Sequence, residues 1–351
     1  MARRPTIKDI ARQAGVSESA VSFALNDRPG VSRETRARIR TVAEELGWQP
    51  NSAARALSGE RSGAVGLVLA RPAHTLGVES FFLQLVSGIQ EVLAADRTAL
   101  LFQVVEDIDA ECAVYRRWWA ERRVDGVLVV DPRSEDPRPA LLASLGLPAV
   151  EVGESSPAPA LSSVWADDAQ AMTQVLDHLH ALGHRRITHI AGMPDLAHTA
   201  RRIRALRDEA ERLGLSPDQV RSVVTDYSDT EGAAATRRVL TAGAAAPTAL
   251  IYDNDVMAVA GVAVAGGLGI PVPGRVSVVA WDDSALCRVT HPRLTALVRD
   301  TADFGRLAAR ELLALLAGGT PRAVEAEQPR LTPRESTAPP PAPPAPPSAA
   351  H

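Results

Sequence analysis

A small all-α unit followed by an α/β body of two doubly wound parallel-sheet lobes is the fold class this sequence predicts, and three observations predict it. Residues 1–49 hold three short amphipathic helical patterns in succession, each bounded by its own start or stop residue. From Gly63 onward, apolar runs of strand length alternate with helical patterns, the rhythm of a parallel sheet covered by helices. That rhythm restarts in the second half of the chain, so two similar halves with a cleft between them are expected.

The length of 351 residues fits two or three units at about 150 residues each. No run of about 18 apolar residues is present to span a bilayer, and no signal-like start precedes the helical patterns. A cytoplasmic protein without a membrane partner is therefore expected. Cys112 and Cys287 have a separation that fits neither a disulfide framework nor a zinc cluster. Residues 1–62 carry 11 Lys/Arg against 7 Asp/Glu, an excess of four positive charges, while the remaining 27 Lys/Arg and 35 Asp/Glu leave the rest eight charges negative. A basic head on an acidic body suits a head that meets phosphate. Lys8 is the only lysine, which removes phosphate-loop and Schiff-base chemistry from the body.

The first helical pattern places Ile7, Ile10, Ala11 and Ala14 on one face and stops at Gly15. Ser17 caps a second helix that starts almost at once. Such a tight helix-glycine-helix junction is the mark of the helix-turn-helix. Ser32 caps the third helix, with Ile39, Val42, Ala43 and Leu46 as its apolar face and Gly47 as its stop. On the second helix Val21, Ala24 and Leu25 project inward, whereas Ser19, Ser22, Phe23 and Asn26 point away and Glu18 lies toward the flank. An outward Phe suits a thymine methyl group in a major groove, and Ser or Glu can read base edges. The bland alternative is a three-helix core with a stray surface Phe.

The segments TIKDIARQAGVS, AVSFALN, VSRETRARI and LGWQPN follow one another in the order and spacing of the lactose-repressor (LacI) family, which the chain resembles from about Thr6 to about Gly318. The resemblance implies a dimeric or tetrameric repressor that binds a pseudo-palindromic double-stranded DNA operator under the control of a small effector. It implies base reading by Glu18, Ser19 and Phe23, and backbone contacts from Thr6, Ser17, Ser22, Asn26, Ser32 and Thr35. The family often has Arg where Phe23 stands, and Phe cannot make Arg's bidentate bond to guanine, so the usual operator centre does not carry over. The segment QPNSAARALSGERS is too short to be a helix on its own. By resemblance it is a hinge helix, with Leu57 wedged into the minor groove and Arg55 near the backbone; a plain linker is the alternative.

The resemblance makes the body periplasmic-binding-protein-like. The expected organisation is a helix-turn-helix domain at 1–49, hinge and linker at 50–62, a first lobe from 63–163 with 293–330, a second lobe at 164–292, and a disordered Pro-rich tail at 331–351. Candidate effector residues sit at strand ends or helix starts: Arg202, Asn254, Asp282 and Tyr227, with Asp255 and Asp283 beside them and Phe81 or Phe82 from the first lobe. Arg and Asp grip adjacent hydroxyls, Asn donates and accepts, and an aromatic ring stacks on a sugar face. Each has a plainer reading, as a helix cap or as packing. The effector is a sugar by the family's common choice and a nucleobase by its minority one. His178, His180, His184 and His189 do not share a helix face, so neither a metal nor a cofactor is expected. No catalytic motif is found, so the chain is not expected to be an enzyme.

Overall fold

The computed structural model describes residues 5–48, 61–71, 80–153 and 161–341. The chain divides into two compact units, Met1–Ser62 and Gly63–His351.

In the first unit the three expected helices form: α1 (Ile7–Ala14), α2 (Glu18–Leu25) and α3 (Arg33–Glu45). Their ends follow from local chemistry. Thr6 donates its backbone N–H and its hydroxyl to Asp9 Oδ2 (2.9 and 2.7 Å), and Gly15 closes α1 at φ 67°. Ser17 Oγ accepts from Ala20 N at 3.2 Å, and Ser32 Oγ from Thr35 N at 3.2 Å. The core is small: Ile10, Ala11, Ala14, Val21, Ala24, Ile39, Val42 and Ala43.

In the second unit, twelve strands among the described residues form two six-stranded sheets. The first contains β1 (Ala64–Ala70), β2 (Ala99–Val105), β3 (Gly126–Val130), β4 (Ala149–Val152), β5 (Ser162–Trp165) and β11 (Ala323–Glu325), in the order β11-β5-β4-β3-β1-β2, all parallel. The second contains β6 (Ile187–Ala191), β7 (Val220–Val224), β8 (Ala249–Tyr252), β9 (Ser277–Ala280), β10 (Thr295–Val298) and β12 (Arg330–Thr332), in the order β12-β10-β9-β8-β6-β7. Only β12 runs antiparallel to its neighbour. In both sheets the strand order reverses beside the first strand, at β1/β3 and at β6/β8. Such switch points open a crevice at the carboxyl ends of the strands.

Helices cover both sheets. The helix α4 (Ser80–Ala95) crosses α12 (Thr301–Leu316) where Gly88 and Gly305 meet the opposing backbone: a Cβ on Gly88 would lie 1.8 Å from Ala302 O, and one on Gly305 2.1 Å from Leu85 O. That close approach fixes α12 in the first lobe although it is built late in the chain.

Two expectations about organisation are corrected. Residues from 293 were assigned to the first lobe, yet β10 pairs with β9 in the second sheet, and the chain crosses back only between Arg299 and Thr301. A four-residue apolar run such as TALV reads the same in either sheet, because its partner is set by tertiary contacts. The tail from 331 was expected to be disordered, yet β12 runs through Leu331 and Thr332, and the following residues bind the second lobe. Ser336 Oγ donates to Val278 O (2.6 Å) and accepts from Thr295 N (2.8 Å), while Arg334 pairs with Asp283 (2.7 Å). These polar side chains hold a segment whose proline content argued for disorder; residues 342–351 lie outside the described ones.

Candidate functional site

Between the lobes lies an open cavity of about 770 Å³, solvent space at its mouth included. All four expected effector residues line it, as do Asp255, Phe81 and Phe82; Asp283 does not.

Arg202 sits in the second turn of α8 (Ala197–Arg212), not at its start as the sequence suggested. It is buried, with its guanidinium 4.1 Å above the Trp281 ring. Nη1 donates to Asp253 Oδ1 (3.2 Å) and Nε to Asp168 Oδ1 (3.4 Å). Asp253 also accepts from His189 Nε2 (2.9 Å) and from Gly192 N (2.8 Å). Burial alone would raise the Asp253 carboxyl; His189 and Arg202 overcome it and hold it well below the usual range.

Tyr227 takes φ 73°, a left-handed conformation that costs a non-glycine residue about 1–3 kcal/mol. Its ring fills the space above Gly192, where an added Cβ would come within 1.8 Å of it. Its hydroxyl bonds to Thr199 Oγ1 (2.8 Å) and His198 Nε2 (2.9 Å), and Arg71 from the first lobe stacks on its face at 4.9 Å. Burial, with Arg202 next, depresses the His198 imidazole to about 4, so it is neutral near pH 7. Asn254 spends its amide on backbone groups: Oδ1 accepts from Met257 N (2.8 Å), capping α10 (Asp255–Gly267), and Nδ2 donates to Tyr227 O (3.0 Å). It lines the cavity while performing the capping role the plainer reading gave it.

Asp282 accepts from Arg299 Nη2 at 2.9 Å, and the Arg299 guanidinium lies 4.8 Å from the Phe81 ring. Arg71 donates Nε to Asp131 Oδ2 (2.7 Å) and stacks 5.2 Å from the Phe82 ring. Burial opposes ionisation of Asp131, but Arg71 outweighs it and holds the carboxyl low. Behind that strand end, buried Arg138 donates to Val130 O (2.9 Å), Asp131 O (2.8 Å) and Glu111 Oε1 (2.9 Å), pinning the loop that presents Asp131.

Sequence reasoning missed Arg71, Asp131, Asp168, His198, Asp253 and Arg299. Four of these follow or end strands β1, β3, β8 and β10, so the strand-end rule applied evenly would have found them; His198 and Asp168 carry no local mark. Of the other histidines weighed as metal ligands, His184 bonds Thr248 and Ser277 (2.9 and 3.0 Å), and His178 bonds Thr337 (3.1 Å). Among the described residues no group of three metal-ligating side chains occurs.

In the head, Glu18, Ser19 and Phe23 are exposed on α2, Phe23 by 38%. Thr6, Ser17 and Ser32 are exposed and cap helices; Asn26 ends α2, Ser22 is half-buried one turn before it, and Thr35 bonds Ser32 (2.9 Å). One residue here went unforeseen. Arg36 donates to Phe23 O, Ala24 O and Arg28 O (3.3, 3.1 and 2.7 Å) and to Asp27 Oδ1 (2.9 Å), closing the carboxyl end of α2 where the helix dipole favours a cation. Arg55 and Leu57 lie outside the described residues.

A helix-turn-helix unit joined in one chain to a two-lobed periplasmic-binding-protein-like body with a polar cleft defines a class of transcriptional regulator. Residues 6–51 match the model of bacterial regulatory proteins of the lacI family, and residues 176–337 that of a periplasmic binding protein-like domain. The chain is 32% identical to the regulator CelR of Thermobifida fusca, over 91% of this chain and 94% of that one. It is 32% identical to MalR of Streptomyces coelicolor over 90% and 91%. Among solved structures it matches a LacI family regulator from Bifidobacterium animalis (35% identity, TM-score 0.72, 80% of this chain and all of that one). It also matches a lac repressor dimer bound to operator (25% identity, TM-score 0.83, 96% and 100%). The chain belongs to the lacI family of bacterial regulatory proteins, and its relatives are named transcriptional regulators, not enzymes.

Proposed function

We propose that this regulator is a cytoplasmic repressor that binds a pseudo-palindromic operator as a homodimer, and that a sugar in the inter-lobe cleft sets its DNA affinity. The carrying observation is the cavity itself, where Arg202, Asp282 and Tyr227 meet aromatic rings from both lobes. Paired charges beside ring faces suit a hydroxyl-rich ligand. Support comes from CelR, solved with cellobiose, which shares 29% identity over 95% of this chain with a TM-score of 0.72. Dimerisation is supported by exposed apolar side chains on the free edge strands of the two sheets, Phe102 and Val104 on β2 and Val224 on β7. In this reading Glu18, Ser19 and Phe23 meet base edges, Thr6, Ser17, Ser22, Asn26, Ser32 and Thr35 meet phosphates, and Arg55 and Leu57 act at the minor groove.

Ligand control follows from a difference in affinity between two lobe arrangements and is reciprocal: a sugar that weakens DNA binding is itself bound more weakly by the DNA complex. The test is retardation of a two-fold-symmetric duplex by the full chain across a salt series, with and without cellobiose or maltose. Steep salt dependence and a sugar-induced shift are expected. Failure to retard any duplex at low ionic strength ends the reading.

A further inference from the structure

Among the described residues three guanidinium groups line the cavity, and each is already matched by a carboxylate. Arg71 holds Asp131 at 2.7 Å, Arg299 holds Asp282 at 2.9 Å, and Arg202 divides itself between Asp168 (3.4 Å) and Asp253 (3.2 Å). A fifth carboxylate has no cation. Asp255 is 3% exposed; Oδ1 accepts from Val256 N at 2.9 Å, and Oδ2 has no hydrogen-bond partner among the described residues. Burial pushes this carboxyl up, and the nearby Ser284 hydroxyl offsets only part of that. The cavity's imidazole, His198, adds no positive charge near pH 7.

Carboxylates therefore outnumber guanidinium groups on the cavity wall. They still do when Arg201, which reaches Asp168 at 3.2 Å without lining the cavity, is counted. No lysine exists in the body, and the segments 72–79 and 154–160 contain neither Arg nor Lys by sequence.

We propose that the cleft selects its ligand by charge, accepting an uncharged or cationic hydroxyl-rich molecule and rejecting the same skeleton once it carries a carboxylate or phosphate. This rests on the reading of the cleft as a sugar site. An entering anion meets a surplus of negative charge. Any guanidinium it reaches is already ion-paired with a buried carboxylate, so the anion sets its own charge against that carboxylate at close range. A neutral hydroxyl meets no such repulsion. It accepts from Arg202 Nη2, which makes no hydrogen bond among the described residues, and leaves every ion pair standing.

The test uses the full-length protein and three neutral probes, glucose, cellobiose and maltose. Each is paired with the uronic acid in which a terminal CH2OH is replaced by carboxylate. Thermal shift and tryptophan fluorescence, to which Trp281 under Arg202 contributes, give the affinities. The expected result is that at least one neutral sugar binds and that its uronic acid binds at least 100-fold more weakly at pH 7. In Asp255→Asn, which removes one unit of the surplus charge at nearly constant shape, that gap narrows about tenfold. A uronic acid that binds as tightly as its neutral parent overturns charge selection while leaving the sugar reading intact. An unchanged gap in Asp255→Asn overturns the part given to that residue. Absence of binding by all six probes overturns the sugar reading and this inference with it.

Discussion

The helical head and the inter-lobe cleft solve opposite problems. In the head the side chains proposed to read bases, Glu18, Ser19 and Phe23, face solvent, and a core of eight small or aliphatic residues needs only to hold α2 rigid. In the cleft the charged side chains are buried: Arg202, Asp253 and Asp255 are each at most 5% exposed. The difference teaches where a substitution will register. Head residues can be changed with little effect on folding and a large effect on partners, whereas cleft residues hold fold and ligand chemistry together.

The sharpest test of that contrast is Arg202→Ala. It strands Asp168 and Asp253 in the interior, and removing one partner of a buried ion pair costs about 3–5 kcal/mol. In a unit of this size that is a fall of roughly 10 °C in the melting temperature of the body, read by calorimetry. A loss under 2 °C would break the comparison.

Next in size is the response to acid. The His198 ring titrates near 4 in the folded chain and near 6.5 when unfolded, so between those values the unfolded chain binds the extra proton. Its contribution is fully present above about pH 6.5 and is lost as pH falls toward 4, by up to about 3 kcal/mol. Melting temperature measured across that window should drop in the native chain and drop less in His198→Gln.

Smaller again is Arg36→Ala in the head. Losing the bonds that close α2 should destabilise the head by about 1–2 kcal/mol and speed hydrogen exchange over residues 18–28, without altering sugar binding to the body. Smallest in stability is Phe23→Ala. It should shift melting within about 0.5 kcal/mol yet weaken specific operator binding roughly tenfold or more in a retardation assay. Equal losses in folding and DNA binding would erase the distinction between the two regions.

The same contrast governed what could be read from the sequence. The head was legible because its determinants are local: Ser17 and Ser32 cap the helices they precede, and the inward positions recur at helical spacing. The cleft was legible only in part. Tyr227, Asn254 and Asp282 were found because they follow strands, but Arg71 and Asp131 occupy equivalent ends in the first sheet and were passed over. Arg299 was lost with the lobe boundary, since its strand was placed in the wrong lobe. His198 matters through a bond to Tyr227, 29 positions away, which no local pattern announces. Asn254 shows the converse: its side chain is spent on capping even though it borders the cavity.

The placement of β12 bears on how the protein is made. The second lobe begins with a strand at Ile187, but its sheet is completed at the other edge by residues 330–332 and tied off through Ser336. A ribosome must therefore deliver nearly the whole body before that lobe can close, and the first lobe likewise waits for α12 and β11. The head has no such dependence: its three helices are all in hand once residue 48 has emerged. Synthesis thus completes the helix-turn-helix unit well before either lobe of the body.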